Sequence, residues 1–70
     1  MRMTYVRNYL VFTRRSRKSL DYVTEVVPVS GDDVDWLHPI KSRQKKSKSY
    51  LVALQNHEDV CRQIADGGVA

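Results

Sequence analysis

Two stretches in the first thirty residues, TYVRNYLVFT (4–13) and LDYVTEVVPVS (20–30), are dense in aromatic and β-branched side chains and poor in helix formers. Such side chains pack well on a pleated surface and lose rotamer freedom in a helix, so the N-terminal half of the chain points to a sheet. In the first stretch Val6, Leu10 and Phe12 would face one way and Tyr5, Tyr9 and Val11 the other, which predicts one long strand covered on both faces in its second half. A helix competes there, because Val6, Leu10 and Thr13 also fall at i, i+4, i+7; the fold would then become a split α+β sandwich. In the second stretch Val23, Val27 and Val29 share a face. Pro28 has no N–H to give a ladder and belongs at an edge or near the strand's end.

SGDD (30–33) is a turn signal, since glycine supplies a positive φ and aspartates bond nearby amides. VDWLHPI (34–40) alternates so that Val34, Trp36, His38 and Ile40 share a face, which predicts a short third strand. Residues 41–49 hold no apolar side chain and read as a basic loop. YLVALQ (50–55) reads as a fourth strand. NHEDVCRQIADGG (56–68) reads as a helix, with Asn56 as N-cap, Glu58 and Asp59 in the first turn and Gly67 at C′. The predicted fold is therefore α+β: a small four-stranded antiparallel meander or partly closed barrel with one C-terminal helix, over a single globular domain of residues 1–66 with a frayed tail at 67–70.

Seventy residues allow one core, and 41% hydrophobic with 29% charged residues suits a folded domain rather than a disordered tail. The lone Cys61 excludes an internal disulfide, and with His38 and His57 it makes no zinc-site spacing. Paired cysteines would be usual in a secreted chain of this size, so a reducing, cytoplasmic setting is expected. No apolar run approaches the roughly 18 residues that span a bilayer, and no signal-peptide pattern opens the chain.

The net charge of +4 is laid down in blocks. Residues 1–18 carry six cations and no acid, residues 19–40 five acids and no cation, and residues 41–55 five cations and no acid. In an up-and-down meander, alternate connections share an end of the sheet. TRRSRKS (13–19) and the 41–49 loop would thus bring nine cations to one pole: Arg14, Arg15, Arg17, Lys18, Lys41, Arg43, Lys45, Lys46 and Lys48. The acids Asp32, Asp33 and Asp35 would mark the other. Clustered cations bind phosphates by releasing condensed counterions, arginine forks bridge phosphate oxygens, and Tyr50 beside the loop would give an unpaired base a stacking surface.

Basic hairpin loops are also common as solvated segments that protect sheet edges, and no recognition helix, G-x-x-G loop or finger spacing accompanies these cations. Two function classes follow. One is a non-enzymatic module that contacts DNA or RNA phosphates through the basic pole. The other is a protein-binding regulator of the phage-inhibitor type, which occludes an acidic surface of a nucleic-acid machine such as RNA polymerase or a nuclease complex. Weak binding to free nucleic acid with tight binding to one protein would separate the second from the first.

No residue set suggests catalysis, a cofactor, a metal or a small-molecule substrate, and no membrane partner is expected. His38 reads as a core or rim histidine between Trp36 and Ile40, Trp36 as core, His57 as exposed at a helix start, and Cys61 as a small buried hydrophobe. Asp32, Asp33 and Asp35 lack the later ligands of a calcium loop and read as turn chemistry.

Overall fold

The computed structural model describes residues 1–67. Five strands and one helix follow in the order β1 (Arg2–Val6), β2 (Tyr9–Arg15), β3 (Tyr22–Ser30), β4 (Asp33–Val34), β5 (Lys45–Ser47) and α1 (Tyr50–Ala65). β1, β2 and β3 pair antiparallel in sequence order. The fourth position of the sheet is shared: β4 pairs with the C-terminal end of β3 (Val29 with Val34) and β5 with its N-terminal end (Tyr22 with Ser47). The predicted class stands, a four-stranded antiparallel half-barrel with one C-terminal helix.

The first stretch is a hairpin rather than one strand. Val6 pairs with Tyr9, leaving a two-residue loop of Arg7 and Asn8. Such tight hairpins need a positive φ at the first loop position. Arg7 supplies it at 53°, where a glycine would be usual, and Gly31 does the same at 62° in the Ser30–Asp33 turn. Arg7 is held by its own side chain, whose Nη2 and Nε donate to the Ala65 carbonyl at 2.6 and 3.2 Å. That carbonyl is one of those left over at the end of α1, so the arginine acts as a helix C-cap as well.

The third predicted strand, 34–40, is mostly not one. After Val34 the chain leaves the ladder and returns with the Ile40 amide donating to the Val26 carbonyl at 2.8 Å. Eleven steps along this edge, Val34 to Lys45, answer five along β3, Val29 to Thr24. The excess is thrown outward as Trp36–Pro39 and a single 3-10 turn at Lys41–Arg43. The 41–49 segment is thus a turn and a strand, β5, rather than a free loop. Trp36 is half-exposed, with its ring edge-on to Phe12 at 5.4 Å, and His38 is exposed on Asp35 at 2.9 Å. Neither belongs to the core that alternation assigned it.

Residues 50–55 are helical, not a fourth strand. Ser49 is the N-cap, its Oγ accepting from the Val52 amide, and Asn56 lies inside the helix. The buried stripe of α1 is Ala53, His57, Val60 and Ile64, a 4-3-4 spacing that makes one helical face only if it begins before Asn56. At the far end the Gly67 amide donates to the Ile64 carbonyl with φ 84°, the C′ role expected of it. The rest of the expected frayed tail, 68–70, lies outside the described residues.

The sheet is covered on both faces. Val60 and Ile64 of α1 pack on Val11 and Val26. The opposite face carries Leu10, Phe12 and Val27, packed by Val29 and Val34. No helix among the described residues is long and apolar enough to cross a membrane.

Candidate functional site

The β2–β3 connection is tied by its own bonds. The Ser16 amide donates to the Asp21 carbonyl at 2.7 Å, the Leu20 amide donates to the Ser16 carbonyl at 2.9 Å, and Leu20 takes a positive φ of 62° to close the loop. Arg17 and Lys18 project from it, exposed. Arg14 and Arg15 close β2 just before, on opposite faces.

Register then sets what stands beside them. Arg14, Val23 and Lys46 form one row across β2, β3 and β5; Arg15, Tyr22 and Ser47 form the next. Lys45 is one rung further in, opposite Thr24, and Lys48 lies just past the end of β5. Seven of the nine expected cations therefore gather at this end: Arg14, Arg15, Arg17, Lys18, Lys45, Lys46 and Lys48. The other two do not. Arg43 turns to α1, where its Nη1 donates to Gln63 Oε1 at 3.0 Å, and Lys41 lies along the edge beside Pro39 and Ile40. The 3-10 turn draws both away from the pole, a turn invisible in a run of lysines and serines.

In exchange the end gains Arg2. It stands opposite Thr13 because the hairpin folds β1 back along β2, whereas one long strand would have left it at the far pole. The same hairpin brings Met1 to a groove of about 580 Å³ lined with Arg14, Arg15, Arg17 and Lys18. Acid is sparse here. Glu25 is committed, 3.6 Å from Arg14 Nε and accepting from Gln44 Nε2 at 2.8 Å. Asp21 is half-buried at the base of the loop.

Aromatic surface adjoins the cations. The Arg15 guanidinium lies 5.7 Å from the Tyr22 ring centroid, within cation–π range, and its Nε donates to the Leu20 carbonyl at 3.3 Å. Tyr22 in turn meets Tyr50 at 5.5 Å between centroids. Tyr50, on the first turn of α1, is 57% exposed. Tyr22 as a site residue was not legible in the sequence, since nothing in LDYVTEVVPVS says which face the helix will cover. At the opposite end of the sheet, Asp32 lies in the β3–β4 turn and Asp33 and Asp35 follow it, with Arg7 of the β1–β2 turn beside Asp32, so that end is acidic with one arginine among the aspartates.

The groups with chemical potential sit elsewhere and are occupied. His57, expected to be exposed, is 1% exposed. Its Nε2 is hydrogen-bonded with Thr4 Oγ1 and its Nδ1 with Thr13 Oγ1, both at 2.8 Å, and Thr13 Oγ1 continues to Thr24 Oγ1 at 2.8 Å. Burial pushes its pKa below the usual 6.5, helped by the nearby Arg2 charge and opposed by Glu58. Cys61, one turn on, has its thiol pKa raised by burial, with a Thr4 hydrogen bond pulling the other way. A raised pKa leaves the sulfur protonated and weakly nucleophilic. Among the described residues no group of three His, Cys, Asp or Glu side chains is placed to hold a metal.

No protein-family model, curated protein or solved structure matches this chain.

Proposed function

We propose that this protein is a non-enzymatic binding module whose basic end contacts nucleic-acid phosphates. The observation that carries the reading is the convergence of Arg2, Arg14, Arg15, Arg17, Lys18, Lys45, Lys46 and Lys48 from three separate segments onto one end of the sheet, with a groove between the strand ends and the loop. Among the described residues only Arg14 of these cations has an acidic partner, Glu25, and the rest repel one another, whereas each that meets a phosphate releases a counterion. The serines of the loop, Ser16 and Ser19, add neutral donors at the same place.

The test is a salt series of binding to labelled single- and double-stranded oligonucleotides, read by anisotropy. Affinity should fall steeply with salt. The quadruple change Arg15→Ala, Arg17→Ala, Lys45→Ala, Lys46→Ala should flatten the slope of log K against log salt by about 3. Absence of binding at low salt would end this reading.

A second reading rests on a different observation. Met3 and Tyr5 on β1 and Trp36 and Leu37 after β4 are all exposed, and Met3 is in register with Phe12, on which Trp36 packs. Large apolar side chains gathered on the face opposite the helix favour a protein partner, and the module would then work by occlusion as a regulator or inhibitor of a larger nucleic-acid machine. Stoichiometric capture of one protein, lost on Trp36→Ala and indifferent to the quadruple change, would decide for it.

A further inference from the structure

The basic groove does not end in solvent. It shares Met1, Arg14 and Arg15 with a smaller cleft of about 130 Å³, which Arg2, Thr13, Tyr22, Tyr50 and Leu54 complete. One wall of that cleft is the stack already described, Arg15 over Tyr22 and Tyr22 against Tyr50. Tyr22 is fixed by its place in β3, opposite Arg15 on one side and Ser47 on the other, and Arg15 by its bond to the Leu20 carbonyl. Tyr50, on the first turn of α1 and packed against Tyr22, keeps more than half its surface free.

We propose that this cleft is a stacking site for an unpaired base, so that the ligand of the basic end is single-stranded rather than duplex nucleic acid. The inference rests on the phosphate-binding reading above and narrows it. In a duplex the π-faces of the bases are already stacked on one another and only their edges face the grooves, so a tyrosine presented on a helix turn meets backbone and gains little. In a single strand each base has a free face, and an aromatic ring beside a track of cations binds base and backbone together. The guanidinium of Arg15 serves both, as a planar partner for a base and as a charge beside the phosphate. Stacking of this kind is indifferent to sequence, so the site should accept any unpaired base.

The experiment compares three probes of equal length at one salt concentration: a labelled oligothymidylate, a strand of abasic sites with the same charge, and the thymidylate strand paired with oligoadenylate, whose doubled charge is allowed for by comparing it per phosphate. The thymidylate strand should bind at least tenfold more tightly than the abasic strand or, per phosphate, the duplex. Tyr50→Ala should weaken thymidylate binding about 5- to 100-fold while leaving the abasic strand and duplex unchanged, and Tyr50→Phe should retain the preference. Equal binding of thymidylate and abasic strands would overturn the stacking site and leave phosphate binding intact. No binding of any probe would overturn both. The abasic comparison uses the unaltered protein, so the result does not depend on the variants folding.

Discussion

The two faces of the sheet are built differently. Toward α1 the rows Val11–Val26 and Thr13–Thr24 meet Val60, Ile64 and His57, and among the described residues every buried side-chain polar atom has a partner: Thr4, His57, Thr13 and Thr24 form one hydrogen-bonded chain across four elements. On the other side Leu10, Phe12 and Val27 are covered by Val29, Val34 and the rim of one half-exposed tryptophan. The contrast teaches what each face is for. A buried polar chain is satisfied in one docking of the helix only, so it fixes register, while an all-apolar face can be covered loosely and still exclude water. The helix face positions Tyr50 and Arg15; the outer face leaves surface to spare.

The largest expected blow to this contrast is Ile64→Ala, which removes a fully buried side chain from the helix face. It should cost about 3 kcal/mol and lower the thermal midpoint by roughly 12–24 °C, a large share of what a domain this small can hold. Thr13→Val comes next. It keeps the shape but strands His57 Nδ1 and the Thr24 hydroxyl, for about 2 kcal/mol by denaturant titration. His57 gives the same face a pH signature. Its folded-state pKa lies below 6.5, so as pH falls past 6.5 the unfolded chain takes a proton that the native imidazole refuses. Stability should be full above pH 6.5 and decline below it until the lower native value is passed. A chain whose midpoint stays level from pH 7 to 5 would remove His57 from this role.

On the outer face the effects shrink. Trp36→Ala should cost about 1 kcal/mol, because only the half of the ring against Phe12 is lost. Leu37→Ser, at a side chain 86% exposed, should move stability by less than about 0.5 kcal/mol. If Trp36→Ala instead equals Ile64→Ala, the two faces are not different in kind.

Much of this was legible in the sequence where local chemistry and tertiary placement agree. The valines of β3, the SGDD turn and the glycine stop of α1 are such places. Three others depend on partners. The Arg7–Asn8 turn carries no glycine, and its left-handed arginine is held by a carbonyl 58 residues away. The stripe of α1 hides because its second member is a histidine, polar by type, whose burial is met by two threonines that hydrogen-bond its two ring nitrogens. YLVALQ reads as a strand, six residues being too few for its apolar pattern to mark a helix, and the Ser49 cap that decides for the helix sits in a serine-rich run where several positions qualify. The candidate site inherits both outcomes. Its loop cations were visible as charge blocks, all but Lys41 and Arg43 of which the β2–β3 connection and β5 bring to one end, while Arg2 and Tyr22 became part of it only once β1 folded back and α1 chose its face.

That fold-back also bears on how the molecule should be handled. Met1 lies against the arginines at the groove, and α1 carries the chain to the opposite end, where Ala65 meets Arg7. A purification tag or reporter attached ahead of Met1 would lie across the basic groove and compete with any ligand. A histidine tag there would add a pH-dependent polycation of its own. The same tag placed after the helix would stand at the remote end of the sheet and leave the cations and Tyr50 uncovered.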